Sequence, residues 1–93
     1  QTDKICLAAV EQNGFSLKHV KKQTPEICIA AIEEENWSIE FVHNQTPKMC
    51  VNTVRENGYT LRFIKNQTPE LCMTAVRQYG YALEFVLEQT PET

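Results

Sequence analysis

Apolar side chains recur along this chain in two alternating rhythms. In Ile5-Cys6-Leu7-Ala8-Ala9-Val10, and again in Ile27-Cys28-Ile29-Ala30-Ala31-Ile32, they lie on the three-and-four spacing of one helix face. A shorter apolar group follows each time, as at Ile39, Phe41 and Val42. The whole pattern returns every 22 residues: Gln1-Thr2-Asp3 opens the first unit, and Gln23-Thr24-Pro25, Gln45-Thr46-Pro47 and Gln67-Thr68-Pro69 open the next three. A fixed period of this length marks an array built from one supersecondary unit. Units 1–22, 23–44, 45–66 and 67–88 are complete and residues 89–93 begin a fifth, so the chain reads as one repeat array over 1–93 with no room for a separate catalytic domain.

Each unit predicts a helical hairpin. Thr at repeat position 2 and Pro at position 3 (Asp in the first unit) supply an N-cap and a first helical residue, and predict a helix from position 3 to about 12. On a helical wheel, positions 5, 9, 6, 10 and 7 span an apolar arc of about 200°, and positions 4, 8, 11 and 12 form the polar remainder. Asn13-Gly14, Asn57-Gly58 and Tyr79-Gly80 predict a left-handed close to that helix, with Asn36-Trp37 as the departure. Ser16, Ser38 and Thr60 then read as caps of a second, shorter helix over positions 17 to 22, a cap that Ala82 lacks. A helix that short does not stand alone in water, so the units must stack. The fold class is all-α, a tandem repeat of helical hairpins forming an α-solenoid of either hand. A leucine-rich repeat has a compatible period but demands alternating strand residues, which are missing here.

At 42% apolar, the composition is that of an ordinary folded domain. No apolar run approaches the roughly 20 residues of a membrane-crossing helix. The start has neither signal-peptide character nor an initiator Met, and reads as a processed chain or a piece excised from a longer array. The net charge of −3 is unevenly spread: unit 1 carries +2 and unit 3 +3, whereas unit 2 carries −5 and unit 4 −2. Two columns alternate in sign, Lys4, Glu26, Lys48, Glu70 and Lys18, Glu40, Arg62, Glu84. Opposite charges in successive units predict attraction along the stack and a penalty for slipping by one unit. A nucleic-acid reading through Lys18, Lys21, Lys22, Arg62 and Lys65 is disfavoured, because the acidic second unit interrupts the basic stripe.

The run Ile5 to Gly14, followed by Phe15, Leu17 and Val20, resembles a family of short helical repeats catalogued as domain of unknown function 4116, found in tandem in bacterial and giant-virus proteins. The aliphatic-Cys, Ala-Ala-Val and Asn-Gly-aromatic elements recur in every unit with few changes. The resemblance implies an all-helical array used for protein contacts, and brings no catalytic residue with it.

Little in the chain suggests reaction chemistry. Cys6, Cys28, Cys50 and Cys72 occupy one repeat position. Equivalent residues of stacked helices lie about 8–10 Å apart, too far for a disulfide and unable to converge on one metal ion. They read as buried, reduced thiols, which points to the cytoplasm. His19 and His43 fall at different repeat positions and make no dyad, and His19 stands where Phe41, Phe63 and Phe85 stand, as an edge residue. The Thr-Pro pairs match a minimal kinase site, and Asn36-Trp37-Ser38, Asn44-Gln45-Thr46 and Asn66-Gln67-Thr68 match glycosylation sequons, but capping accounts better for the first and chance for the second. The aromatic column Phe15, Trp37, Tyr59, Tyr81 predicts packing at helix entry.

The expected function is therefore non-enzymatic, with no cofactor, metal or membrane: a protein-protein interaction module or scaffold. Its contact surface is expected on the outer side of the first helix of each unit, where units differ most: Ala30, Glu33 and Glu34; Asn52, Arg55 and Glu56; Thr74, Arg77 and Gln78. The other reading is a structural array that associates end to end, of natural, designed or excised origin.

Overall fold

Four threonines start the four α-helices. The N–H groups of Ile5, Ile27, Met49 and Leu71 donate to Oγ1 of Thr2, Thr24, Thr46 and Thr68 at 3.2 or 3.3 Å, satisfying a donor that the first turn of a helix leaves unpaired. The computed structural model describes residues 2–86, and the opening of a fifth unit at 89–93 lies outside the described residues. Helices α1 (Asp3–Gln12), α2 (Pro25–Glu34), α3 (Pro47–Glu56) and α4 (Pro69–Gln78) have 10 residues each. Each is followed by a six-residue 3-10 helix: η1 (Gly14–His19), η2 (Asn36–Phe41), η3 (Gly58–Phe63) and η4 (Gly80–Phe85). Among the described residues every regular element is helical, and none is long and apolar enough to cross a membrane.

The second element differs from the sequence expectation in start, winding and cap. No glycine among the described residues has a positive φ; the backbone leaves α1 in extended form at Asn13, with φ −153° and ψ 108°. The Asn13 side chain instead caps the 3-10 helix, accepting the Phe15 N–H at 3.0 Å, as Asn57 accepts that of Tyr59 at 3.1 Å. Because a 3-10 helix has three residues per turn, residues three apart share a face. Gly14, Leu17 and Val20 are all buried, as are Gly58, Leu61 and Ile64. Of the hydroxyl residues expected as caps, Ser16 is half-buried and two are packed inside: Ser38 and Thr60 are 0% exposed, and Thr60 Oγ1 donates to the Asn57 carbonyl at 2.6 Å.

The molecule measures 48 × 18 × 17 Å. Each η helix packs on the next, and α1 lies on α2 and α3 on α4, over a core that includes Val10, Leu17, Ile27, Ala31, Ile39, Val54 and Leu61. The glutamines that open the second, third and fourth units tie these layers together. Gln45 Nε2 donates to the carbonyls of Ile39 at 3.0 Å and Phe63 at 2.8 Å, while its Oε1 accepts the Lys65 N–H at 2.9 Å. Gln67 Nε2 repeats both donations, to Leu61 and Phe85, and Gln23 bonds Phe41 and His43.

Successive α-helices do not all meet alike. A Cβ placed on Gly14 would lie 2.5 Å from the Ala31 carbonyl oxygen, so that position admits only hydrogen, and one on Gly58 would lie a tight 3.0 Å from that of Ala75; at both the next helix comes close. At the middle junction the corresponding pair is Asn36 and Thr53, bulkier on both sides. There α3 packs on η2, but α2 and α3 part. The close pairs therefore follow the same two-unit alternation as the charges.

Candidate functional site

The parted helices leave a furrow of about 280 Å³ between α2 and α3, lined by Ile29, Ile32 and Glu33 on one side and Met49, Asn52, Thr53, Arg55 and Glu56 on the other. A second, shallower furrow between α1 and α2 is lined by Leu7, Glu11, Glu26, Ile29, Ala30 and Glu33. Ile29 and Glu33 belong to both, so α2 forms a ridge with a furrow on each flank.

Of the residues expected to make contacts, the furrow between α2 and α3 brings together Glu33, Asn52, Arg55 and Glu56, and the one between α1 and α2 joins Ala30 to Glu33. Glu34, Arg77, Thr74 and Gln78 line neither. Thr74 Oγ1 donates to the Glu70 carbonyl at 2.8 Å within its own helix. Gln78 Nε2 donates to the Arg55 carbonyl, closing α4 onto the last turn of α3 and satisfying a carbonyl that a helix end leaves unpaired.

Sequence reasoning misassigned half of position 7: Leu7 and Val51 pack against the core, and the other two do not. Leu7, Ile29, Val51 and Met73 sit at one edge of the apolar arc and were expected in the core, yet Ile29 is 46% and Met73 53% exposed. The position two residues earlier is closed in the same units, with Ile27 at 1%, Met49 at 7% and Leu71 at 3%. The arc thus divides into a packed part and a shoulder open to the furrow face. The signal lay in the arc's width, broader than the stripe of roughly 100° that a surface helix needs to reach a core.

Three rings of the aromatic column pack as expected, Phe15, Trp37 and Tyr59 each meeting the position-19 ring of the following unit, while Tyr81 is 78% exposed. Phe15 meets Phe41 at 6.4 Å, Trp37 meets Phe63 at 5.1 Å and Tyr59 meets Phe85 at 5.9 Å between centroids, all edge to face. Arg62 lies over this stack, 6.0, 5.4 and 5.2 Å from the rings of Trp37, Phe63 and Phe85. The charge columns correct the expectation of pairing: among the described residues neither closes an ion pair within 4.0 Å.

None of the four cysteines forms a disulfide; Cys6, Cys28 and Cys50 are buried and Cys72 is half-buried. Burial pushes the thiols of Cys28 and Cys50 above their ordinary value, because a thiolate would lose its hydration. The Cys28 thiol lies 3.5 Å from Gln23 Oε1 and serves as a small core group with a weak donor. Among the described residues no three His, Cys, Asp or Glu side chains group as metal ligands, and His19 and His43 are both exposed. Comparison with protein-family models, with curated proteins and with solved structures gives no match.

Proposed function

We propose that this chain is a non-enzymatic interaction module: an α-solenoid of helical-hairpin repeats, cytoplasmic, akin to the tandem repeats of domain of unknown function 4116, that holds a protein partner on the furrowed face of α1, α2 and α3. The observation that carries the reading is the apolar lining of the two furrows, where Ile29, 46% exposed, stands between Leu7 on one side and Ile32 and Met49 on the other. Scattered exposed apolar residues need no explanation, but a set aligned with two furrows does. The test is affinity capture with the native chain and with a Glu33→Ala, Arg55→Ala, Glu56→Ala variant, all three residues being exposed. A partner retained by the first and lost by the second is the expected result. Equal retention by both sinks the assignment of this face.

A second reading, a structural array, draws on a different observation. Ile5 is 64% exposed in the first unit although its equivalents are closed, and Leu83 is 53% exposed although Leu17, Ile39 and Leu61 are at 0%. The two outermost units thus offer the complementary halves of the internal junction, and a further unit or a second copy would cover them. Sedimentation at rising concentration, with and without Ile5→Glu, decides it: a mass that stays monomeric removes end-to-end association by this chain.

A further inference from the structure

The furrowed face has a sign as well as a shape. The charged residues lining the furrow between α1 and α2 are Glu11, Glu26 and Glu33, all acidic, and the one between α2 and α3 adds Glu56 against Arg55. All four glutamates are exposed, so a bound partner meets four negative charges and one positive around an apolar floor. That floor is not continuous: Ile29 rises between the furrows, with Leu7 on one flank and Ile32 and Met49 on the other. Two parallel depressions flanking an aliphatic ridge suit side chains projecting at the three-and-four spacing of an α-helix.

Resting on the interaction reading above, we propose that this face docks a basic amphipathic α-helix from a partner protein. Its aliphatic side chains enter the furrows on either side of Ile29, and its lysines or arginines meet Glu11, Glu26, Glu33 and Glu56. Nucleic acid and anionic lipid carry the wrong charge for this rim. A strand-like peptide would lack a sheet edge, since the regular elements of the described residues are all helical. A second copy of the chain is a poor occupant, because α1 to α4 already turn apolar residues into their own core.

The test is fluorescence anisotropy of labelled peptides titrated with the whole chain. Three peptides of about 18 residues are compared: a leucine-lysine peptide with leucine at helix spacing, a scramble of identical composition, and a leucine-glutamate peptide of the same pattern. The expected result is binding of the first at least about tenfold tighter than the other two, weakened by salt. Ile29→Lys and Glu33→Lys should each lower that affinity about tenfold while leaving the circular dichroism spectrum and melting temperature unchanged, since both residues are exposed.

Equal affinity for the scramble would reduce the effect to charge alone and overturn the proposal. So would preference for the leucine-glutamate peptide, or retention of binding by Ile29→Lys. Dimerisation at the concentrations used, abolished by Ile29→Lys, would assign the face to a second copy instead. If the peptides fail while the alanine variant still loses its captured partner, the partner class falls and the interaction reading stands. If that variant keeps its partner as well, both fall.

Discussion

Gln45 Nε2 lies 2.8 Å from the carbonyl oxygen of Phe63, 18 residues further along the chain. The same amide group reaches back to the Ile39 carbonyl, so one side chain joins the end of η2 to the end of η3. The Phe63 carbonyl lies in the last turn of η3, where a helix leaves acceptors unpaired, while the Ile39 carbonyl also accepts the Val42 N–H at 3.2 Å. The glutamine is placed to do this because it precedes each Thr cap, where the chain returns from one η helix to the next α-helix.

Replacing Gln45 with Leu therefore removes three hydrogen bonds and leaves the Phe63 carbonyl and the Lys65 N–H to find water, while the Ile39 carbonyl keeps the Val42 N–H. Net losses of about 0.5–1.5 kcal/mol per bond, more where a group stays buried, give a destabilisation of roughly 2–4 kcal/mol. Urea unfolding at constant slope reads it directly. Gln45→Glu should also destabilise, since a carboxylate cannot donate to either carbonyl. A change below about 0.5 kcal/mol for both variants, the usual size for an unimportant surface position, would show that the amide is incidental to the stack.

Gly14 and Gly80 occupy the same repeat position but face different surroundings. A methyl group on Gly14 would press on the Ala31 backbone oxygen at 2.5 Å, whereas one on Gly80 meets nothing within 4 Å among the described residues. Neither glycine has a positive φ, so backbone strain does not enter. Gly14→Ala is expected to destabilise by about 1–3 kcal/mol through overpacking. Gly80→Ala should be neutral or stabilise by about 0.4–1 kcal/mol by restricting the unfolded chain. Thermal melts of the two variants side by side check the pair, and a similar loss at both would place the requirement in the backbone, not in the junction.

The buried thiols give the protein an alkaline limit. Burial moves Cys28 and Cys50 upward from 9.0, so the folded chain holds these protons more tightly than the unfolded one. Their contribution is fully present below about pH 9 and is lost as pH rises through the higher folded values. Urea titrations across that range should show stability falling above about pH 9. The fall should be shallower in the Cys28→Ala, Cys50→Ala variant, whatever that variant loses in packing at neutral pH. An identical alkaline slope in both chains would assign the fall to other groups.

The start of every α-helix was legible because it depends on adjacent residues, Thr and Pro, whose effects are local. The η helices were not, because position 14 was read for its backbone freedom while its role is to let Ala31 or Ala75 approach from the next unit. Reading Gly14, Leu17 and Val20 at a period of three would have found the 3-10 winding. The glutamine was visible as a repeat mark, but its partners lie 18 and 20 residues away, beyond any local pattern. The furrows were hidden for a related reason: Glu33 and Arg55 could be placed on helix faces, but the distance between α2 and α3 is set by packing across a junction.

That junction offers the sharpest control over the site. Asn36 and Thr53 stand where the flanking junctions have glycine and alanine, and only there, among successive α-helices, do the two helices part. The extra side-chain volume accounts for the separation, since a packed interior yields by moving whole elements when a position is overfilled. Asn36→Gly with Thr53→Ala should let α3 settle onto α2 as α4 settles onto α3. Nuclear Overhauser contacts between Ile32 and Met49 methyl groups should strengthen, and Ile29 should become less accessible to a soluble spin label. Affinity for a leucine-lysine helix should fall about tenfold with the fold intact, matching the loss expected from Ile29→Lys. Either single change should give a partial effect, because the two residues occupy the positions that meet at the flanking junctions, where contributions couple. A double variant that leaves the α2 to α3 contacts unchanged would place the cause of the furrow elsewhere, in the α3 to η2 packing.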